Sequence, residues 1–260
     1  MRAGHACSPR MKSHIDRPKQ VGSGSGSRPD AILSITTAEE GVRARRVVTR
    51  SGIRWRGNYP SWKAGRMLQW ESVHELNAFR LLDADPTVER FAEQPCVIRY
   101  RLDGGEHKHF PDILVQRSGA APELWEVKTA LDAAERDTAA RTRLMQTALP
   151  AWGYVYRLAL ADDLARQPRL DACITLLRYG RRAVGVIERE RARTAFAAHG
   201  RIGWGAAACA ALGADACHIV ARLALEGVVT VQLDGGIVDG TPFSWAARSP
   251  RRPAQADIRL

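Results

Sequence analysis

Two short apolar runs that contain charged residues place the strongest constraint on how this chain can fold. One run, at 109–115, reads HFPDILV, and the other, at 123–128, reads ELWEVK. Because the side chains of a β-strand alternate between its two faces, Glu126 and Lys128 are predicted to share a face. Asp112 lies in a run of similar type, and a hairpin connection separates the two runs. Two carboxylates and one amine are therefore expected to converge at the edge of a small sheet.

The segments around these runs predict an α/β core. Segments with helical spacing or helix-forming composition are followed or separated by strand-like runs. The predicted elements are a helix at 71–86, strands at 96–102, 107–115 and 123–129, a helix at 130–149, a strand at 154–160 and a helix at 168–182. The order helix, three strands, helix, strand indicates a mixed sheet flanked by helices.

The chain divides by composition into four parts. The first is polar and basic and ends in GSGSGS, which is typical of a linker too poor in apolar residues to fold alone. The predicted parts are a disordered extension at 1–30, the α/β domain at 31–190, a small C-terminal domain at 195–247 and a disordered tail at 248–260. In the C-terminal domain a short helix, a turn at Gly213, a second helix and a strand outline a winged helix-turn-helix. An ordinary small helical cap is the alternative interpretation.

The charge of the chain indicates a polyanionic partner. It carries 39 Lys and Arg against 28 Asp and Glu, a net charge of +11, which favours nucleic acid. A solvated basic surface is the alternative. There is no apolar run of the 18 or more residues needed to span a bilayer, and the N-terminus lacks the apolar centre of a signal peptide. With five scattered cysteines, an odd number, we expect a cytoplasmic protein with reduced thiols and no membrane contact.

The charged residues of the two runs suit phosphodiester hydrolysis assisted by a metal ion. A divalent cation relieves the repulsion between an anionic nucleophile and phosphate and lowers the pKa of bound water. Mg²⁺ prefers carboxylate and carbonyl oxygens, which Asp112, Glu126 and the Val127 carbonyl can supply. Lys128 can orient the attacking water or stabilise charge, and Glu75 on the preceding helix can add a carboxylate. An exposed ion pair between Glu126 and Lys128 at a strand edge explains the spacing equally well.

Other candidate residues have competing interpretations. Cations interleaved with aromatic residues suit a DNA backbone, although a solvated basic face is nearly as plausible. The candidates for nucleic-acid contact are Arg54, Arg56, Lys63, Arg66 and Gln94, of which Gln94 is also consistent with a simple strand-entry residue. His107 and His109 are expected to be exposed on a shared strand face. Glu71 lies one helical turn before Glu75 and competes with it as the metal-binding acid.

Several motifs occur together between residues 57 and 128. They read PSxKxGR, ESxxE, LLDxDPxV and EQP, followed by the Pro111-Asp112 pair and the Glu126-Val127-Lys128 triplet. This combination resembles the TnsA-type endonuclease subunit of heteromeric bacterial cut-and-paste transposases, which belongs to the PD-(D/E)xK nuclease superfamily. The similarity extends over roughly 55–185 and is faint after 195.

The resemblance implies a restriction-endonuclease-like fold for 31–190 and Mg²⁺-dependent DNA cleavage, with Mn²⁺ as a substitute. By position, Glu75 matches the helix-borne acid, Asp112 the central metal ligand, Glu126 the second ligand and Lys128 the catalytic lysine. It further implies cleavage at the 5′ ends of a transposon. The implied partners are an integrase-like transposase subunit and an ATPase regulator. Two alternatives stay open: a stand-alone restriction or repair nuclease, and a non-catalytic DNA-binding adaptor.

Overall fold

The computed structural model describes residues 14–16, 29–38, 44 and 56–247. The predicted tail at 248–260 and most of the predicted extension at 1–30 lie outside these residues, as does Arg54. The boundaries proposed for those two segments stay predictions.

The described part of the chain alternates strands and helices. The strands are β1 (His14–Asp16), β2 (Ala31–Thr37), β3 (Gly57–Ser61), β4 (Arg66–Trp70), β5 (Val88–Glu93), β6 (Cys96–Leu102), β7 (Gly105–His109), β8 (Ile113–Arg117), β9 (Glu123–Lys128), β10 (Val155–Leu160), β11 (Arg201–Gly203), β12 (Val229–Thr230) and β13 (Pro242–Trp245). The helices are α1 (Val73–Ala84), α2 (Ala130–Ala134), α3 (Arg136–Ala148), α4 (Ala161–Leu164), α5 (Arg169–Gly180), α6 (Val186–His199), α7 (Ala206–Leu212) and α8 (Ala216–Leu225).

Two four-stranded sheets form the larger part of the fold. One is mixed, in the order β10-β9-β8-β5, with β9 and β10 parallel and the other pairs antiparallel. The other, in the order β1-β2-β6-β7, is antiparallel throughout. The predicted α/β class with a mixed sheet flanked by helices is confirmed.

Two predicted elements are each divided in the structure. The run 107–115 was predicted as one strand, but β7 belongs to the antiparallel sheet and β8 to the mixed sheet. Pro111 lies between them and has no N–H to donate to a strand ladder, so the chain changes sheet there. The helix predicted at 130–149 is interrupted at Glu135, whose ψ of 136° is not helical.

The two faces of β9 pack into different cores. Val127 joins Phe79 and Leu82 of α1 in a buried cluster on one side of the mixed sheet. Leu124 joins Met145 of α3 in a second cluster, which also contains residues of β2 and β6. Because alternate residues share a strand face, Glu126 and Lys128 lie on the same side of β9 as Leu124, the side that α3 covers.

The C-terminal part has the element order α6, β11, α7, α8, β12 and β13. The three strands form an antiparallel sheet in the order β11-β13-β12, and α7 and α8 meet at a bend of 96°. The predicted strand of this region is short, at Val229–Thr230, and β13 completes the sheet. Within the described residues no single helix is long and apolar enough to cross a membrane, and α7 with α8 meets that length and composition test only as a bent pair.

Helix α8 packs closely against α5. A Cβ atom added at Gly180 would lie 2.9 Å from the backbone of Ala221 and Arg222, so only glycine permits this approach. The Arg222 guanidinium also lies over the ring of Trp62, 4.3 Å from its centre. These contacts join the C-terminal part to the sheet-containing part. Trp62 is one of the aromatic residues interleaved with the cations suggested for DNA contact, and Arg222 covers its ring.

A fully buried carboxylate, Asp83, holds the β3–β4 hairpin against the end of α1. Its oxygens accept hydrogen bonds from the hydroxyls of Tyr59 and Ser61, both at 2.8 Å. They also accept the backbone N–H groups of Trp62 and Lys63, both at 3.3 Å. A buried charge is tolerated only when such bonds replace its hydration, so Asp83 and its donors stabilise the fold as a unit.

We expect Asp83→Asn to lower the free energy of unfolding by about 3 kcal/mol, because the amide NH₂ faces donors and leaves a buried hydroxyl unsatisfied. Urea unfolding at neutral pH measures the change. Asp137→Asn, on the exposed side of α3, is the matched control and should cost less than about 0.5 kcal/mol. Equal unfolding midpoints for the two variants would contradict the structural role of Asp83.

Candidate active site

Asp112 lies where the chain passes from one sheet to the other, and three hydrogen bonds fix it. Its N–H donates to the Trp125 carbonyl at 2.9 Å, and its carbonyl accepts the Gln94 N–H at 2.7 Å. Its side-chain Oδ2 accepts the Val127 N–H at 2.7 Å. The carboxylate is therefore fastened directly to the backbone of β9, between the residues Glu126 and Lys128.

Glu126 and Lys128 meet on the α3 side of β9. The Lys128 amine lies 2.9 Å from Glu126 Oε1, as the period-2 alternation of the strand predicts. β9 has a neighbour on both sides, and the Glu126 side chain is only 4 % exposed. The alternative of an exposed ion pair at a strand edge is therefore wrong.

His109 and Arg141 also contact Glu126, and neither was expected there. His109 Nε2 lies 3.1 Å from Glu126 Oε2 and 3.0 Å from the Tyr156 hydroxyl. One Arg141 nitrogen lies 3.4 Å from Glu126 Oε1. The expectation that His109 is exposed is wrong, since the ring is 6 % exposed. β7 ends at His109, so the His109 side chain does not continue the face of a longer strand. His107 is exposed, as expected.

The two carboxylates have opposite pKa shifts. Burial and the nearby charge of Glu126 raise the pKa of Asp112, and the bond from the Val127 N–H opposes them only in part. Burial also acts to raise the pKa of Glu126, but His109 and Lys128 outweigh it and lower that pKa. Burial acts to lower the pKa of Lys128, and the Glu126 charge outweighs it and raises the pKa. Lys128 is therefore a cation at neutral pH.

Glu75 is placed near Asp112 but has a second role in the helix. Its charge contributes to the raised pKa of Asp112. Its oxygens accept the Ser72 hydroxyl at 3.1 Å and the Glu71 N–H at 3.0 Å, and its own N–H donates to the Ser72 hydroxyl. This is a variant of the capping box, whose S-x-x-E signature is present in the sequence at 72–75.

The donors at Asp112 and Glu126 fit a hard divalent cation. Glu126 Oε2 is buried, and the His109 ring nitrogen lies 3.1 Å from it. A strand residue presents its N–H and C=O to the same side, so the Val127 carbonyl points towards the side where Asp112 binds. Among the described residues, no three His, Cys, Asp or Glu side chains already form a metal-binding group. A metal at this site is therefore a proposal.

Gln94 has a strained backbone beside the site. Its φ is +44°, which is uncommon for a residue other than glycine. The side chain is buried, its Nε2 donates to Glu71 at 3.1 Å, and its Oε1 has no hydrogen-bond donor. Because its N–H donates to the Asp112 carbonyl, Gln94 supports the site from inside the fold and is not a surface residue.

The basic residues proposed for nucleic-acid contact differ in their surroundings. Lys63 donates to the carbonyls of Leu82 and Asp85 at the end of α1, so its amine is used within the fold. Arg66 makes a two-pronged pair with Glu93 at 2.9 and 2.7 Å. Arg56 is exposed. We therefore correct the interpretation of Lys63 as a DNA contact, because helix carbonyls engage its charge.

Taken together, a mixed α/β sheet with the buried Glu126 and Lys128 on β9, and the partly buried Asp112 just before β8, is consistent with an α/β nuclease fold. Residues 85–152 match the family model described as TnsA-like endonuclease N terminal. That match confirms, for residues 85–152, the resemblance found in the sequence. The matched segment contains Asp112, Glu126 and Lys128 and begins after Glu75. No curated protein matches the chain.

We expect Asp112→Asn to stabilise the metal-free protein. The amide oxygen can still accept the Val127 N–H, while the variant removes a carboxyl whose raised pKa costs the fold stability at neutral pH. A gain on the order of 1 kcal/mol corresponds to a rise of about 2–4 °C in the unfolding midpoint. Thermal unfolding with a chelator present measures it, with the exposed Asp234→Asn as the control. A lower midpoint for Asp112→Asn would contradict the electrostatic description.

Proposed function

We propose that this protein is a Mg²⁺-dependent DNA endonuclease, a subunit of a cut-and-paste transposase that cleaves the 5′ ends of the transposon. The observation that carries the proposal is the buried pair Asp112 and Glu126, with Lys128 on Glu126, inside a segment that matches a TnsA-like endonuclease domain. A buried carboxylate pair is costly to the fold. A catalytic role for this pair explains why the domain carries it in spite of that cost.

The proposed ligands are Asp112, Glu126 and the Val127 carbonyl, with Glu75 as a further acid that must give up part of its helix cap. When bound, Mg²⁺, or Mn²⁺ in its place, would neutralise phosphate charge and lower the pKa of the attacking water. The buried Glu126 carboxylate and the nearby Asp112, whose charges affect each other, support this assignment. The carboxylates also fix the position of the cation relative to β9.

Lys128 acts in this proposal as a charged hydrogen-bond donor. Its raised pKa keeps the amine protonated, so it orients the attacking water and offsets charge on the phosphate and does not act as a base. The water oxygen bonds to phosphorus as the bond from phosphorus to O3′ breaks. The water loses a proton to solvent and the leaving oxygen gains one, which leaves a 5′-phosphate and a 3′-hydroxyl.

The proposed substrate is the DNA of the transposon ends. The net charge of +11 supports a polyanionic substrate, and the exposed Arg56 is the proposed backbone contact. Arg66, like Lys63, is engaged within the fold, in its case by Glu93. Gln94 acts through the position of Asp112. The proposed partners are an integrase-like transposase subunit, which would process the 3′ ends, and an ATPase regulator. A cytoplasmic location is part of the same proposal.

We expect Asp112→Ala to lower the rate of DNA cleavage by at least about 10³-fold, because several kcal/mol of transition-state stabilisation depend on the cation. The assay is nicking of end-containing plasmid with Mg²⁺ or Mn²⁺, with and without the partner proteins. Binding to DNA should change little. The exposed Asp234→Ala is the matched control and should cleave at the rate of the unmodified protein.

The same assay separates the alternatives. Cleavage that needs the partner proteins supports the transposase subunit. Efficient cleavage of ordinary plasmid by the protein alone would indicate a stand-alone restriction or repair nuclease. DNA binding with no cleavage under any of these conditions would indicate an adaptor, and unchanged cleavage by Asp112→Ala would remove the proposed mechanism.

A further inference from the structure

Arg141 lies beside Glu126 but has no role in the proposed cleavage mechanism. It lies on α3, whose buried residues Thr138, Thr142 and Met145 pack inward, and its side chain is 19 % exposed. One terminal nitrogen lies 3.4 Å from Glu126 Oε1. The Nε atom is buried and has no acceptor among the described residues. The guanidinium therefore lies at the site with an unsatisfied donor.

The bond between Arg141 and Glu126 is loose. Charge-assisted bonds of this kind are usually about 2.7–2.9 Å long, and Glu126 Oε1 already has Lys128 at 2.9 Å. A guanidinium has five N–H donors in a planar fork. The guanidinium also interacts with the Tyr156 hydroxyl, but its buried Nε has no acceptor, so Arg141 keeps a donor for an anion that arrives with the substrate.

The charges of the site indicate which anion this is. Glu75, Asp112 and Glu126 contribute three negative charges, and Lys128 and Arg141 contribute two positive ones. A single divalent cation and one phosphodiester bring the sum to zero. Without Arg141 the same assembly is left with a net negative charge, and more negative charge develops on the phosphate oxygens as water adds. Uncompensated charge in a buried site is costly.

Resting on the proposed function, we propose that Arg141 is a second catalytic cation, which binds the non-bridging oxygens of the scissile phosphate. Arginine suits this task because its planar fork matches two phosphate oxygens at once. Its role differs from that of Lys128 because Lys128 lies on the same strand as Glu126, whereas Arg141 comes from α3. Glu126 holds the guanidinium until DNA binds.

We expect Arg141→Met to lower the single-turnover cleavage rate at saturating DNA by about 10²–10³-fold. The loss should persist at saturating Mg²⁺, because the metal ligands are intact and the defect is not one of metal binding. Arg141→Lys should recover part of the rate, since it keeps the charge and loses the fork. The control is Arg143→Met, an exposed arginine two residues along the same helix, which should cleave normally.

Chemical rescue distinguishes phosphate binding from a structural role. Free guanidinium at millimolar concentration should restore part of the activity of Arg141→Ala, and sodium chloride at equal ionic strength should not. A rate for Arg141→Met or Arg141→Lys equal to that of the unmodified protein would overturn the assignment. So would an Arg141→Ala loss that guanidinium does not rescue in a variant that unfolds at the normal temperature.

Failure of this inference can be told apart from failure of the proposed function. If the unmodified protein cleaves no DNA with either metal and with its partners, the proposed function fails. If it cleaves DNA and Arg141 proves dispensable, only the role of Arg141 fails. Should Arg141→Met not fold, the comparison of Arg141→Lys with the unmodified protein decides the question.

Discussion

The hydrogen bond from the Val127 N–H to Asp112 Oδ2 is the contact on which the arrangement of the site depends. It joins a side chain at the crossing between two sheets to the backbone of β9. The main chain of Asp112 is fixed at the same time by Trp125 and Gln94. Because the acid cannot move away, the fold bears the cost of a buried carboxylate next to Glu126. A cation at this point would relieve that cost.

The sequence motifs that led to the family have two separate physical roles. The PSxKxGR and LLDxDP motifs meet each other in space, because Asp83 accepts bonds from Ser61 and the Lys63 amine caps the end of α1. They hold the hairpin and helix together and do not enter the proposed chemistry. The Pro-Asp and Glu-Val-Lys motifs position charges. A match to both kinds of motif is informative because it includes residues that stabilise the fold as well as residues that form the site.

The sequence alone could predict features that depend on local periodicity. The alternation along 123–128 was enough to bring Lys128 to Glu126, and the order of helices and strands was enough for a mixed α/β sheet. Features set by tertiary contacts were missed. Pro111 is a local signal for a break in the strand, but nothing local indicates that the chain passes there to a second sheet and buries His109, or that α3 brings Arg141 to Glu126. The capping role of Glu75 was readable from its S-x-x-E pattern and was overlooked.

The packing of α8 and the distribution of charge along the chain both affect which residues can contact DNA in the proposed function. In a helix-turn-helix the second helix enters a groove, which requires an exposed face. Most of α8 is buried, and Gly180 lets α5 approach its backbone closely. Residues 186–247 contain five arginines and six acidic residues, so this part is nearly neutral while the chain carries a net charge of +11. The basic excess lies instead in residues 1–55 and 248–260, which together carry 15 Lys and Arg against 5 Asp and Glu, whereas residues 56–185 carry 19 against 17. Neither its burial nor its charge therefore favours α8 as the element that contacts DNA.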